Sequence, residues 1–352
     1  MWKIILAFIS HRFLLCAVAL FTINAKITPQ FAGRALRPFQ PKAILVHKLM
    51  ERFAQGSEVR MLQTLNHQPV GKVLQLTQDP FLWIARLVSL AVNDNALYAV
   101  LIVSNLFLLL FLWEVNALAS RMSLPEVATD SGILLVLWMT SYELSLGSSL
   151  SLTCFLTTLL FRAAIDNQWI FTGAGLGLLA LHDRLALGLL PLLLIMFWNF
   201  QRFEPAKEVM KKGAMFLLPV IIAIVLKWNF YKDIWLFVQG SALLNLVDAF
   251  KSGDITGWPF SQANLGQTIS LIVFLVGAIA AAVVNSSFVL RGLPLLLLVM
   301  VLSFSSYNTL ASRLMIAGIC FEGIAAAVSG LFLRLIQLAL IILSCYEIVS
   351  LF

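Results

Sequence analysis

The chain has 352 residues, of which 61% are hydrophobic and 12% charged, with a formal net charge of +7 and a mean hydropathy of +0.94. Soluble domains carry about 45–50% apolar and about 25% charged residues, and a large soluble core still needs a charged shell. A water-soluble globule is therefore excluded. The apolar stretches are unbroken and lack period-2 alternation, which selects helices over a barrel. The basic excess belongs to loops that set topology or meet anionic head groups, and no basic run is dense enough for nucleic acid. Cys16, Cys154, Cys320 and Cys345 are scattered through apolar runs without a CxxC pair, so they read as small core residues rather than disulfide or metal ligands.

The first apolar run, 4–22, is interrupted by His11 and Arg12; with no small-x-small cleavage site after it, it reads as a retained helix. A polar and amphipathic stretch follows over 24–95. Within it, 43–54 reads as an amphipathic helix, with Ile44, Leu45, Leu49 and Phe53 beside Lys48 and Arg52. Such a helix lies in the membrane interface, either as a brace or as a basic cradle for a lipid phosphate. Further runs occupy 96–118, 132–146, 150–164, 170–181, 185–200, 214–227, 269–284, 288–304, 314–328 and 331–351. The expected architecture is an all-α, polytopic transmembrane bundle of about 9–11 helices in a single domain over 1–352, several of the helices too short for a perpendicular span.

The short loop 201–212 carries Arg202, Lys207, Lys211 and Lys212 against Glu204 and Glu208, which places it in the cytoplasm by the positive-inside rule. The N-terminus with Lys3 is then cytoplasmic too, as are 119–131 and 165–168. The outer face receives 24–95, 143–149, 182–184, 231–267 and 305–313. The long stretch 24–95 holds nine Lys/Arg and four Asp/Glu, against the rule, but long loops obey it weakly. The chain is expected to be integral to a membrane, with its N-terminus cytoplasmic.

Ionisable residues at span ends are the default functional candidates in a bilayer. The topology collects Asp79, Arg86, Asp94, Glu143, the triplet His182, Asp183 and Arg184, then Asp248, Lys251, Asp254 and Arg313 on the outer face, near Trp83, Tyr142, Trp258 and Tyr307. Singly, such charges mark helix ends that meet water. Together they suit sugar transfer from a lipid phosphate: a carboxylate deprotonates an acceptor hydroxyl and arginines hold the departing phosphate. Asp79, Glu143, His182 and Asp183 are the candidate acid, base or orienting groups; Arg86, Arg184 and Arg313 are the candidate phosphate binders. The glycines at 173, 175 and 177 lie inside an apolar run and read as close helix packing. No Walker motif, HExxH or GxSxG is present, and four scattered histidines offer no metal-ligand spacing. No metal or cofactor is expected, and no residue pattern supports a divalent cation.

A first helix, a long outer stretch with an amphipathic helix, and short paired helices resemble the GT-C class of membrane glycosyltransferases. Within that class, Asp79-Pro-Phe-Leu-Trp-Ile-Ala-Arg-Leu-Val-Ser-Leu90 resembles the acidic-Pro-Gly-aromatic segment of bacterial polysaccharide polymerases of the EpsG/Wzy type. Tyr142-Glu-Leu-Ser-Leu-Gly-Ser-Ser149 resembles their loop entering the next helix. Leu181-His-Asp-Arg-Leu-Ala-Leu187 resembles their His-x-Ser-Ala stretch, and Ala311-Ser-Arg-Leu314 their late Arg-Leu motif. Two departures stand out: Ser148-Ser149-Leu150-Ser151 replaces an Arg-Gln pair, and Phe81 replaces the glycine after Pro80. The resemblance implies a bacterial inner or plasma membrane as the location, a polyprenyl-linked sugar donor, a saccharide or lipid acceptor, and a role in polysaccharide or glycoconjugate assembly at the cell envelope. Residues 130–200 also resemble PIG-V-type mannosyltransferases that use polyprenyl-phosphate-mannose. Those need an acid in the first outer loop, where Glu51, Glu58 and Asp79 stand. From other classes, a lipid or solute transporter or flippase calls for inverted internal symmetry and broken helices with charges at the midplane, and the missing motif residues also fit a non-catalytic subunit of a membrane complex.

Overall fold

The computed structural model describes residues 1–31, 57–65, 68, 72, 79–138, 141, 144, 147–239, 241–252, 265–285, 288–305, 310–328 and 330–351. Among them the regular structure is helical, with no strand. Four helices are long and apolar enough to cross a membrane, over Trp2–Thr22, Ala96–Met122, Ala206–Leu226 and Gly330–Val349. Phe13, Phe21 and Phe171 stand 77%, 75% and 68% exposed; an outer surface this apolar is solvated by lipid.

In chain order the helices are α1 (Trp2–Phe31), α2 (Ser57–Leu65), α3 (Pro80–Ala91), α4 (Ala96–Met122), α5 (Pro125–Leu137), α6 (Leu150–Ile165), α7 (Trp169–His182), α8 (Leu185–Gln201), α9 (Ala206–Leu226) and α10 (Trp228–Tyr231). Then come α11 (Ile234–Gln239), α12 (Ala242–Ser252), α13 (Leu265–Val284), α14 (Phe288–Ser303), α15 (Leu310–Arg313), a 3-10 turn (Leu314–Ala317), α16 (Cys320–Ala327) and α17 (Gly330–Leu351).

α4 and α6 run parallel, with α5 returning between them, and α7, α8 and α9 then alternate in direction. At one end Ser104 of α4 donates to the Ser148 carbonyl at 3.3 Å; at the other Arg121 pairs with Asp166 at 3.0 Å. Between them Arg162 lies 2.6 Å from Glu114, close in distance but misaligned for a hydrogen bond. The closest crossing is that of α7 on α9: a Cβ on Gly173 would strike the Phe216 carbonyl, and one on Gly177 would lie 2.9 Å from the Pro219 carbonyl. Small residues let the backbones approach this far. Trp169, Phe197 and Phe216 fill the adjoining space with ring centroids 4.9 and 5.7 Å from Trp169.

The second half is joined to the first by Trp138, whose ring lies 5.4 Å from both Phe274 of α13 and Phe321 of α16. The first helix packs Ile4 on Gly132, donates from Arg12 to the Ser141 carbonyl at 2.7 Å, and meets α17 through His11 and Ser344 at 2.9 Å. Its N-terminus therefore lies toward the same end of the bundle as the 201–212 turn.

Several boundaries depart from the apolar runs. α9 begins at Ala206, not at 214, because a helix continues through Lys207, Glu208, Lys211 and Lys212 once it leaves the apolar layer; Lys212 is held by Glu204 at 2.6 Å. The run 132–146 yields α5 over 125–137, started by Pro125 at its first position, after which Ser141 takes up the Arg12 guanidinium. The run 314–328 is broken into the 3-10 turn and α16. The expected amphipathic helix at 43–54 lies outside the described residues; within 24–95 the structure adds α2, which buries Val59, Leu62 and Leu65, and α3, which buries Phe81, Leu82 and Ala85.

Candidate functional site

At the end of the bundle opposite the 201–212 turn, the chain opens a cleft of ≈ 450 Å³ whose polar lining includes Asp79, Ser149, His182, Asp183, Arg184 and Arg313. Three strands of sequence logic bring these together. Asp79 precedes Pro80, and its Oδ1 accepts the Phe81 N–H at 2.9 Å, the arrangement of an N-cap before a proline. His182 ends α7, and Asp183 and Arg184 form the turn into α8. Arg313 ends α15, just before the 3-10 turn.

His182 is the junction of the near wall. Its Nδ1 lies 2.9 Å from Asp79 Oδ1 and its Nε2 lies 3.0 Å from the Ser149 carbonyl. Both partners are oxygen acceptors, and only the imidazolium donates from both nitrogens. Burial alone would raise the Asp79 carboxyl; the hydrogen bond and charge of His182, the charge of Lys227 and the Phe81 N–H more than offset it and hold it below its ordinary 3.8. Ser149 in turn is fixed by Glu58 of α2, whose Oε1 accepts its backbone N–H at 3.1 Å and its hydroxyl at 2.7 Å. Gly147 permits this turn with φ +86°, and a Cβ there would meet Val100 at 3.0 Å.

The far wall is built on Asp183. Its Oδ1 accepts the Leu185 N–H at 3.0 Å and so starts α8; its Oδ2 accepts from Arg313. Arg313 also donates to the Phe304 carbonyl at 2.6 Å. Arg184 donates from Nε to the Phe230 carbonyl at 3.0 Å, with Cζ 4.4 Å above the Phe230 ring. Tyr231 donates to the Ala180 carbonyl at 2.6 Å and locks α10 to the α7 end; burial raises its phenol, which stays protonated. With His182 as imidazolium, the lining carries three cations against two carboxylates, and Lys227 stands behind, donating to the Leu181 carbonyl. A surplus of positive charge, in a site partly withdrawn from water, suits an oxyanion such as a phosphate.

Of the residues expected from sequence, Asp79, His182, Asp183, Arg184 and Arg313 line this one cleft. Arg86 is not among its lining residues: its Nη1 pairs with Asp94 at 2.5 Å and with Ser89 at 2.9 Å, bracing the turn from α3 to α4. Glu143 lies outside the described residues, as do Tyr142, Asp254, Trp258 and Tyr307. Among the described residues, no group of three or more His, Cys, Asp or Glu is placed to hold a metal ion. Lys227 and Phe230 were not singled out by sequence, Ser149 only as part of the Ser148-Ser149-Leu150-Ser151 departure from the family pattern, and Glu58 only as one acid among three in the long stretch. Lys227 had a signal, a lysine closing an apolar run at the same face; nothing local marked Glu58 as the partner of Ser149.

Comparison with known protein families, with curated proteins and with solved structures gives no match to this chain.

Proposed function

We propose that the chain is a membrane glycosyltransferase of GT-C-like organisation that takes a sugar from a polyprenyl-phosphate or -pyrophosphate carrier at the extracytoplasmic face, in polysaccharide or glycoconjugate assembly. The observation that carries this reading is the convergence of Asp79, His182, Asp183, Arg184 and Arg313 on a single cleft at one end of an apolar bundle. The basic 201–212 turn lies at the opposite end, so the positive-inside rule faces the cleft outward. In the proposed reaction an acceptor hydroxyl attacks the anomeric carbon and loses its proton to Asp79. The bond from that carbon to the phosphate oxygen breaks, and the polyprenyl phosphate, or pyrophosphate, leaves with the electron pair, held by Arg184 and Arg313. His182 orients Asp79, and Asp183 orients Arg313.

Use of polyprenyl-phosphate-mannose is the second reading, favoured by one observation: Glu58, an acid of the first long loop, is anchored on the cleft residue Ser149. Both readings share the phosphate site. The test is binding of undecaprenyl phosphate to the purified protein, followed by native mass spectrometry, for the wild type and Arg184→Gln. The expected result is roughly 10-fold weaker binding by the variant, the worth of one charge-assisted contact. Equal binding would remove the phosphate from this cleft and with it the transferase reading.

A further inference from the structure

A second cavity of ≈ 450 Å³ lies between α8, α13 and α14, and its chemistry is unlike that of the cleft. Its charged lining residue is Arg291, with Asn199 beside it; the others include Leu192, Ile195, Leu295 and Leu296. The polar pair sits toward one end of the bundle. Asn199 is two residues before Gln201, which bonds Asn167 at 2.5 Å and Lys212 at 3.0 Å on the 201–212 side. Arg291 lies near the start of α14 and donates from Nε to the carbonyl of Asn285, whereas α14 ends beside the cleft, where the Phe304 carbonyl accepts from Arg313. Arg291 and Asn199 therefore stand toward the end of the bundle opposite the cleft, the depth at which the proposed topology puts the head groups of the other leaflet.

The apolar lining extends from that depth inward. Leu192 lies about two helical turns above Asn199 on α8, and Leu295 and Leu296 lie above Arg291 on α14. Ile195 is 67% exposed and Leu296 41% exposed, so the groove is open sideways to lipid. An arginine at the rim of an apolar groove at the interface matches an amphiphile with an anionic head and a hydrocarbon tail. A donor whose phosphate occupied the cleft would have its head group at the other end of the bundle.

We infer that this groove is a binding site for an anionic glycerophospholipid of the leaflet opposite the cleft. The lipid phosphate sits on the Arg291 guanidinium, Asn199 donates to the phosphate or glycerol ester, and one acyl chain lies along Leu192, Ile195, Leu295 and Leu296. The bond from Arg291 to Asn285 fixes the guanidinium, so little side-chain freedom is surrendered on binding.

The site is tested by native mass spectrometry of the purified protein in mild detergent with equal amounts of phosphatidylglycerol and phosphatidylcholine. The wild type is expected to retain phosphatidylglycerol preferentially. Arg291→Gln is expected to reduce that retention roughly 10-fold and abolish the preference. Leu296→Trp, which fills the groove and leaves Arg291 in place, is expected to reduce retention of both lipids. Arg184→Gln, at the cleft, is expected to retain phosphatidylglycerol as the wild type does. Equal retention of the two lipids by the wild type, or unchanged retention by Arg291→Gln, overturns the proposal. Loss of phosphatidylglycerol from Arg184→Gln would place the lipid in the cleft and overturn it equally.

Discussion

Glu58 accepts two hydrogen bonds from one residue, Ser149, from its backbone N–H at 3.1 Å and its hydroxyl at 2.7 Å. Because the Ser149 carbonyl holds His182, and His182 holds Asp79, a helix of the long N-terminal stretch is wired to the candidate base through three consecutive contacts. Glu58→Ala leaves a part-buried N–H and hydroxyl without their acceptor. The expected cost is about 2 kcal/mol, read as a lowered Tm in detergent, together with faster amide exchange at the start of α6. Unchanged exchange there would mean that α2 does not anchor the cleft.

The ion pair between Asp183 and Arg313 is largely withdrawn from solvent, at 10% and 20% side-chain exposure. Removing one member strands the other. Asp183→Asn and Arg313→Gln are each expected to destabilise by about 3 kcal/mol, and the double variant by clearly less than their sum. Strict additivity in a thermal or urea titration would show that the two groups do not depend on each other.

Acid should loosen the near wall. The Asp79 carboxyl is held below its ordinary 3.8, so the folded state prefers it ionised. Its contribution to stability is fully present above the unfolded value and is lost as pH falls through the lowered folded value. Thermal unfolding between pH 7 and pH 3 is expected to show this loss at the acid end of the range. Asp79→Asn removes that component and flattens the curve; an unchanged curve would detach Asp79 from it.

The crossing of α7 and α9 admits a sharp comparison between two glycines. Gly173→Ala drives a methyl into the Phe216 carbonyl, whereas at Gly213 the nearest atom is the Phe197 ring, 3.6 Å away. The first is expected to cost about 1–3 kcal/mol. The second removes a glycine from a helix and is expected to stabilise by about 0.5–1 kcal/mol. Similar melting temperatures for the two variants would contradict the close approach.

Sidedness is open to direct labelling. Single cysteines at Lys3 and Lys207 are expected to react from the same side of the membrane, and a cysteine at Lys232 from the other. Protection of Lys3→Cys under conditions that label Lys207→Cys would break the assignment of both to one end.

The helical, membrane-embedded character of the chain was legible because a long apolar run has few other solutions. The His182, Asp183 and Arg184 triplet was legible for a related reason, since three ionisable residues between two spans cannot be buried cheaply. Hydropathy measures the apolar layer rather than the helix, which is why α9 extends two turns beyond its run through Lys207 and Lys211. It is equally blind to the 3-10 turn at Leu314–Ala317, where an α-helix and a tighter turn demand the same composition. The parting of Arg86 from the other arginines depended on the left-handed turn at Asn93 and Asp94, φ 55° and 57°, which returns Asp94 to it. Glu58 reaches Ser149 across 91 positions, and no local pattern announces a contact of that range.

The bond between Asp183 and Arg313 spans 130 positions of the chain. During vectorial insertion, α3 to α8 can assemble while Arg313 is still being synthesised, so the far wall of the cleft is the last part of it to be completed. A nascent chain halted short of α15 would carry the Asp79–His182 dyad beside an Asp183 still awaiting its guanidinium. The contact ties the charge balance of the cleft to the arrival of the C-terminal third. A partly inserted chain would present a less positive cleft to passing anions, and full charge would come only with the completed bundle.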